Sequence, residues 1–210
     1  MNIKNINMSS FVKKLAIFFI GLFIIQIGVA LTLKVNMGSD PFTVFTQGLS
    51  TKLNITVGAA NRIISLVLFL IILCIDRRNI NIGTLLSVTF VGIFLDFCVY
   101  LFSNVPVETY NILIKILIFC LSCLIIAIGF SILKSANIGI GPNDLLYFVI
   151  VDNFNKPYGV IRMLFDCLFL VIGFLLSGVV GLGTIIGILL TGPLIQLCLP
   201  KAEKIVNKII

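Results

Sequence analysis

A displacement of 101 residues carries Asn36, Gly38, Pro41 and Gly58 onto Asn137, Gly139, Pro142 and Gly159, and the apolar blocks around them return in the same order. A chain that repeats itself at this period is built from two copies of one unit. Each copy reads as a long apolar segment, a glycine-proline break, a short helical run, and two more long apolar segments. With a one-residue slip the correspondence persists to the end: adding 100 takes Gly83, Thr84, Gly92 and Cys98 onto Gly183, Thr184, Gly192 and Cys198, and puts Gln196 at the place of Asp96.

The long segments identify the solvent. Sixty per cent of the residues are hydrophobic, 11% are charged and the mean hydropathy is +1.22, far from the roughly one-quarter charged residues of soluble domains. Spans are expected at about 15–33, 57–75, 82–101, 111–133, 158–176 and 180–199, each near the roughly 20 residues that cross a bilayer. Three spans per copy make the copies point in opposite directions. The expected fold is therefore an all-α membrane protein of six transmembrane helices in two inverted-topology three-span repeats, about 11–103 and 108–200, forming a single integral membrane domain over 1–210.

After the first span of each copy comes the break. Gly38 suits a helix end, Asp40 an N-cap and Pro41 the first position of a new helix. Phe42, Phe45, Leu49 and Leu53 then mark one face of a short helix. Thirteen residues reach only about 20 Å, so this helix and its copy from Pro142 to Phe154 are either re-entrant or interfacial. Gly139 and Pro142 repeat the punctuation. Helix N-termini at both breaks offer backbone N–H groups to anions; an interfacial brace is the competing reading.

The formal charge of +7 resides mostly at segment ends. That distribution argues for membrane orientation rather than nucleic-acid binding. Six spans put ten basic residues on one side, against Lys34, Lys52 and Lys115 on the other. The positive-inside rule then makes the tails 1–14 and 201–210, and with them both termini, cytoplasmic. The six cysteines lie in or at the ends of apolar segments and there is no histidine, so neither a disulfide framework nor a metal site is expected.

Charged groups inside apolar segments are the candidates for chemistry. Arg162 and Asp166 share a helix face four residues apart and read either as a self-neutralising pair or as part of a substrate or proton pathway. Asp96 and Arg62 lack a partner within their own helices, and Asp144 follows the second break. Arg62, Asp96, Asp144, Arg162 and Asp166 are thus the candidate substrate or coupling-ion residues, with Gly38, Pro41, Gly139 and Pro142 as the repeat-break residues. Gly183 with Gly187, and Gly83 with Ser87, form small-residue faces that suit close packing of the third and sixth spans or a homo-oligomer. No catalytic motif, dinucleotide fingerprint or cofactor site is present, so an enzyme is not expected.

Gly-Leu-Phe (21–23), Asn-Met-Gly-Ser-Asp-Pro (36–41), Gln-Gly-Leu-Ser (47–50), Asn-Ile-Gly-Thr (81–84), Gly-Ile-Gly-Pro-Asn-Asp (139–144), Gly-Leu-Gly-Thr (181–184) and Gly-Pro-Leu-Ile-Gln (192–196) occur in an order that resembles the YczE/YitT-type bacterial membrane proteins. The resemblance covers nearly the whole chain and implies a multi-pass protein of the cytoplasmic membrane, without a substrate. In that family the first break commonly continues Pro-Trp-Asp, where this chain has Phe42 and Thr43. The functional expectation is a small-solute or ion transporter, and the alternative is a non-transporting scaffold or accessory subunit of a partner complex.

Overall fold

The computed structural model describes residues 8–154 and 157–210. These residues form eight α-helices: α1 Met8–Val35, α2 Pro41–Leu53, α3 Val57–Ile75, α4 Ile82–Leu101, α5 Ile112–Ser135, α6 Pro142–Phe154, α7 Tyr158–Leu175 and α8 Leu182–Ile209. Single turns of 3-10 helix at Arg77–Asn79 and Val107–Thr109 complete the connections. Five of the six expected segments, α1, α3, α4, α5 and α8, are long and apolar enough to cross a membrane. The remaining segment is α7, 18 residues long and carrying Arg162 and Asp166. Side chains such as Leu66, Val67, Leu117 and Leu189 are exposed, as expected for helices solvated by lipid tails rather than water.

The two short helices begin and end where the punctuation places them, and α2 and α6 stand 101 residues apart at both ends. Asp40 accepts a hydrogen bond from the Thr43 backbone N–H at 3.1 Å and caps α2, with Pro41 as its first residue. Such a cap contributes about 1 kcal/mol. The breaks themselves match in backbone conformation: Asn36 and Asn137 have φ of 53° and 52°, and Gly38 and Gly139 have φ of 98° and 135°. A side chain at either glycine would be strained by that φ, and it would also collide with the helix packed against the break, α8 at Thr184 for Gly38 and α4 at Thr84 for Gly139.

Each break is bonded to the other half of the chain. Gly183 N–H at the start of α8 donates to Met37 O at 2.8 Å, and Gly83 N–H at the start of α4 donates to Ile138 O at 2.9 Å. These contacts overturn one expectation. The small-residue faces do not bring the third and sixth spans together; Gly83 and Gly183 are small because each lies against the break of the opposite half. A Cβ on Gly83 would lie 2.8 Å from Ile138 O, and one on Gly183 2.7 Å from the Phe119 ring.

The helices sort into two bundles. In the first, α1 packs along α5, α5 along α8 and α1 along α4. Gly21 and Gly129 let α1 and α5 approach at the backbone, and the core there includes Phe18, Leu22, Leu133 and Val206. The second bundle joins α2 to α7, α3 to α6, α2 to α3 and α6 to α7 around Ile64, Leu68, Ile72, Leu146, Val149 and Phe169. Phe45 stacks on Phe169 with ring centroids 5.6 Å apart, and Gln47 Oε1 accepts the Val179 N–H at 3.0 Å, tying α2 to the turn after α7. Each half of the chain gives two helices to each bundle.

The C-terminal basic segment is not a separate tail: α8 runs on through Pro200 to Ile209, with Ala202 and Val206 buried. Proline at 193 and 200 removes two backbone donors, yet the helix continues, and Val206 in its lower part joins the core of Phe18 from α1 and Leu133 from α5. Lys13 Nζ donates to Ile209 O at 2.9 Å, so the described ends of the chain lie side by side. Lys34 Nζ, at the far end of α1, donates to Ser103 O beyond α4 at 3.0 Å. Residues 1–7 of the expected N-terminal tail lie outside the described residues.

Candidate functional site

Between the two bundles lies a cavity of about 400 Å³, inside the range of small-molecule sites. The first bundle supplies a mostly apolar wall with Gln26, Ser87 and Thr191, and the second supplies the charges. Both breaks open into it: Asp40 and Pro41 at the head of α2, and Pro142 and Asp144 at the head of α6. Two half-length helices thus present their N-terminal ends to one space.

Each of those ends already carries its own carboxylate. Asp40 caps α2, and Asp144 sits in the first turn of α6, where the helix dipole stabilises negative charge. Arg162 and Asp166 face the same space from α7, with Arg162 Nε 3.6 Å from Asp166 Oδ2. The Tyr147 hydroxyl of α6 donates to Asp166 Oδ1 at 3.1 Å. The positions that correspond to Arg162 and Asp166 in the first half are Asn61 and Ser65 of α3, which also line the cavity and are joined by a Ser65 hydroxyl to Asn61 Oδ1 hydrogen bond of 3.1 Å. One helix pair therefore offers a charged bridge and the other a neutral one, at matching places.

Of the sequence candidates, Asp144, Arg162 and Asp166 converge on the cavity together with the break residues Pro41 and Pro142. Gly38 and Gly139 stand behind it, against the starts of α8 and α4. Asp96 and Arg62 pair elsewhere, 4.0 Å apart at the α3–α4 contact. Asp96 also accepts from Thr56 Oγ1 and from the Gly58 N–H, each at 2.8 Å, so it holds the exposed N-terminal end of α3 against α4. Sequence alone makes Asp40 a cap and Ser87 a packing residue, and it assigns nothing to Asn61, Ser65 and Tyr147. The signal that could have found Asn61 and Ser65 was the repeat itself, which superposes them on the charged pair.

At the α3–α4 contact the backbones touch. A Cβ on Gly58 would collide with Gly92 O, and one on Gly92 with Gly58 O. The corresponding residues of the second half, Gly159 of α7 and Gly192 of α8, have nothing within 4 Å of their Cβ positions. No α7–α8 packing comparable to that of α3 and α4 exists among the described residues. The space between them is a second hollow of about 350 Å³, bordered by Gly159, Met163 and Ile188 and sharing Arg162 and Asp166 with the main cavity. The cavity is sealed along α3–α4 and open along α7–α8.

Among proteins of known sequence, the chain is similar to an uncharacterised protein of Haemophilus influenzae, 30% identical over 88% of this chain and 82% of that one. It is 28% identical to the uncharacterised protein YyaS of Bacillus subtilis over 88% of this chain and 92% of YyaS. To the uncharacterised membrane protein YczE of the same organism it is 28% identical over 90% of this chain and 87% of YczE. No solved structure matches it. With residues 12–200 matched by the family's sequence profile, this multi-helix membrane protein belongs to the family of unknown function DUF6198, in line with its resemblance to YczE.

Proposed function

We propose that the protein is a small-solute carrier of the cytoplasmic membrane, in which two inverted three-span repeats alternate access to the cavity between the bundles. The observation that carries this reading is the unequal pair of glycine contacts, Gly58 on Gly92 closed and Gly159 beside Gly192 open. Two equivalent contacts flank one cavity, and rocking the second bundle against the first would exchange their states. α7 then serves as the fifth span, its 18 residues reaching about 27 Å. The pairing of Lys13 with Ile209, and of Lys34 with Ser103, supports opposite sides for the two ends of α1. On the charge count, the side that holds both termini is cytoplasmic, and the described conformation opens toward it.

Asp96 gives the closed contact its hold, because it caps α3 and faces Arg62 on the same helix. Gln196 occupies the corresponding place on α8 and would reach the N-terminal end of α7 when that contact closes. Gly83 and Gly183, two of the small residues that the scaffold alternative would place at a partner interface, lie instead against the breaks of the opposite half.

Cysteine accessibility tests the carrier reading without knowledge of the substrate. A single cysteine at Thr191, a half-buried cavity residue, in a background without the six native cysteines, should react with a charged thiol reagent from both faces of the membrane. Gly92→Leu should confine the reaction to the non-cytoplasmic face and Gly192→Leu to the cytoplasmic face. Reaction from one face only, unmoved by either substitution, would sink the proposal.

A further inference from the structure

We infer that the cavity takes a small organic cation with an apolar body. The inference rests on the carrier reading in treating this cavity as the substrate site. Three carboxylates, Asp40, Asp144 and Asp166, line it against one guanidinium, Arg162. That guanidinium already faces Asp166 at 3.6 Å. Neither helix N-terminus is left for an anion, because Asp40 accepts the Thr43 N–H of α2 and Asp144 occupies the first turn of α6.

A second, independent observation points to a ligand. Ser87 is a wholly buried residue at the cavity wall, and its Oγ has no hydrogen-bond partner. Leaving a buried hydroxyl unpaired is costly, so a ligand bearing an N–H or O–H group gains by reaching it. The rest of the wall suits the body of such a ligand. Phe42, Phe130 and Tyr147 offer aromatic surface to a cation, and Leu22, Val91 and Ile195 offer aliphatic surface. A bare metal ion does not fit this set: among the described residues no three His, Cys, Asp or Glu side chains group as ligands.

Three probes of one shape separate charge from size: choline, its uncharged carbon isostere dimethylbutanol, and the acid dimethylbutanoate. Binding is measured calorimetrically on the full chain in lipid nanodiscs. Choline should bind, with the alcohol and the acid at least about tenfold weaker, the loss expected for one charge-assisted contact. Asp144→Asn should weaken choline by a similar factor and Arg162→Gln should strengthen it, an opposite sign that a general folding defect cannot produce. Asp40→Asn serves as a second weakening variant if Asp144→Asn does not fold. Preference for the acid, absence of choline binding by the folded wild type, or choline affinity unmoved by these substitutions would overturn the inference. Choline counterflow in proteoliposomes separates this inference from the carrier reading. Binding without counterflow would leave the cation assignment standing and remove the carrier. Counterflow of the acid alone would do the reverse.

Discussion

Gly58 and Gly159 occupy the same place in the sequence repeat and opposite circumstances in the fold. Gly58 lies against the Gly92 carbonyl and the Asp96 carboxylate, whereas nothing approaches the Cβ position of Gly159. Alanine at the two positions should therefore behave differently. Gly58→Ala forces backbone apart and should cost about 1–3 kcal/mol of stability. Gly159→Ala should be neutral to slightly stabilising, because alanine is the better helix former by about 0.5–1 kcal/mol. Thermal unfolding in nanodiscs compares them. Equal losses would contradict the closed and open assignments. On the carrier reading both variants still slow exchange of the cavity between faces, since each closed contact needs both glycines.

At the scale of elements, the breaks are built as joints pinned to the opposite half. Gly38 combines a φ of 98° with Thr184 against its face, so Gly38→Ala should cost about 1–3 kcal/mol through strain and crowding together. Chemical denaturation of that variant checks it, and a loss no larger than that of an exposed-site alanine would show that the joint tolerates a side chain. Most helix limits were legible because Pro41, Pro142 and their caps act locally, and because the apolar runs of α3 and α4 begin and end at polar residues. The end of α8 was not. Its lower turns after Pro200 place Val206 in a core shared with α1 and α5, a tertiary contact that no local rule contains. The use of Gly83 and Gly183 was misread for the same reason: a small-residue face states that something comes close, not what does.

Across the whole molecule, the charged residues separate into two groups that sequence spacing alone does not distinguish. Asp144, Arg162 and Asp166 meet at the cavity with Asp40, and Asp96 meets Arg62 at the contact that seals it. Local sequence reveals that a charge lies in an apolar segment, whereas its partner lies in another helix and depends on how the bundles pack. The repeat made the architecture readable, and its failure between the glycine pairs carries the functional argument. Pulsed electron spin resonance on doubly labelled protein in nanodiscs tests that argument most directly. One label pair spans the exposed positions Met163 of α7 and Leu189 of α8, the other Ile63 of α3 and Ile93 of α4. The account predicts two populations for each pair, long α7–α8 with short α3–α4 and the reverse, with Gly92→Leu and Gly192→Leu shifting them in opposite directions. A single distance for both pairs, unchanged by either substitution, would contradict it.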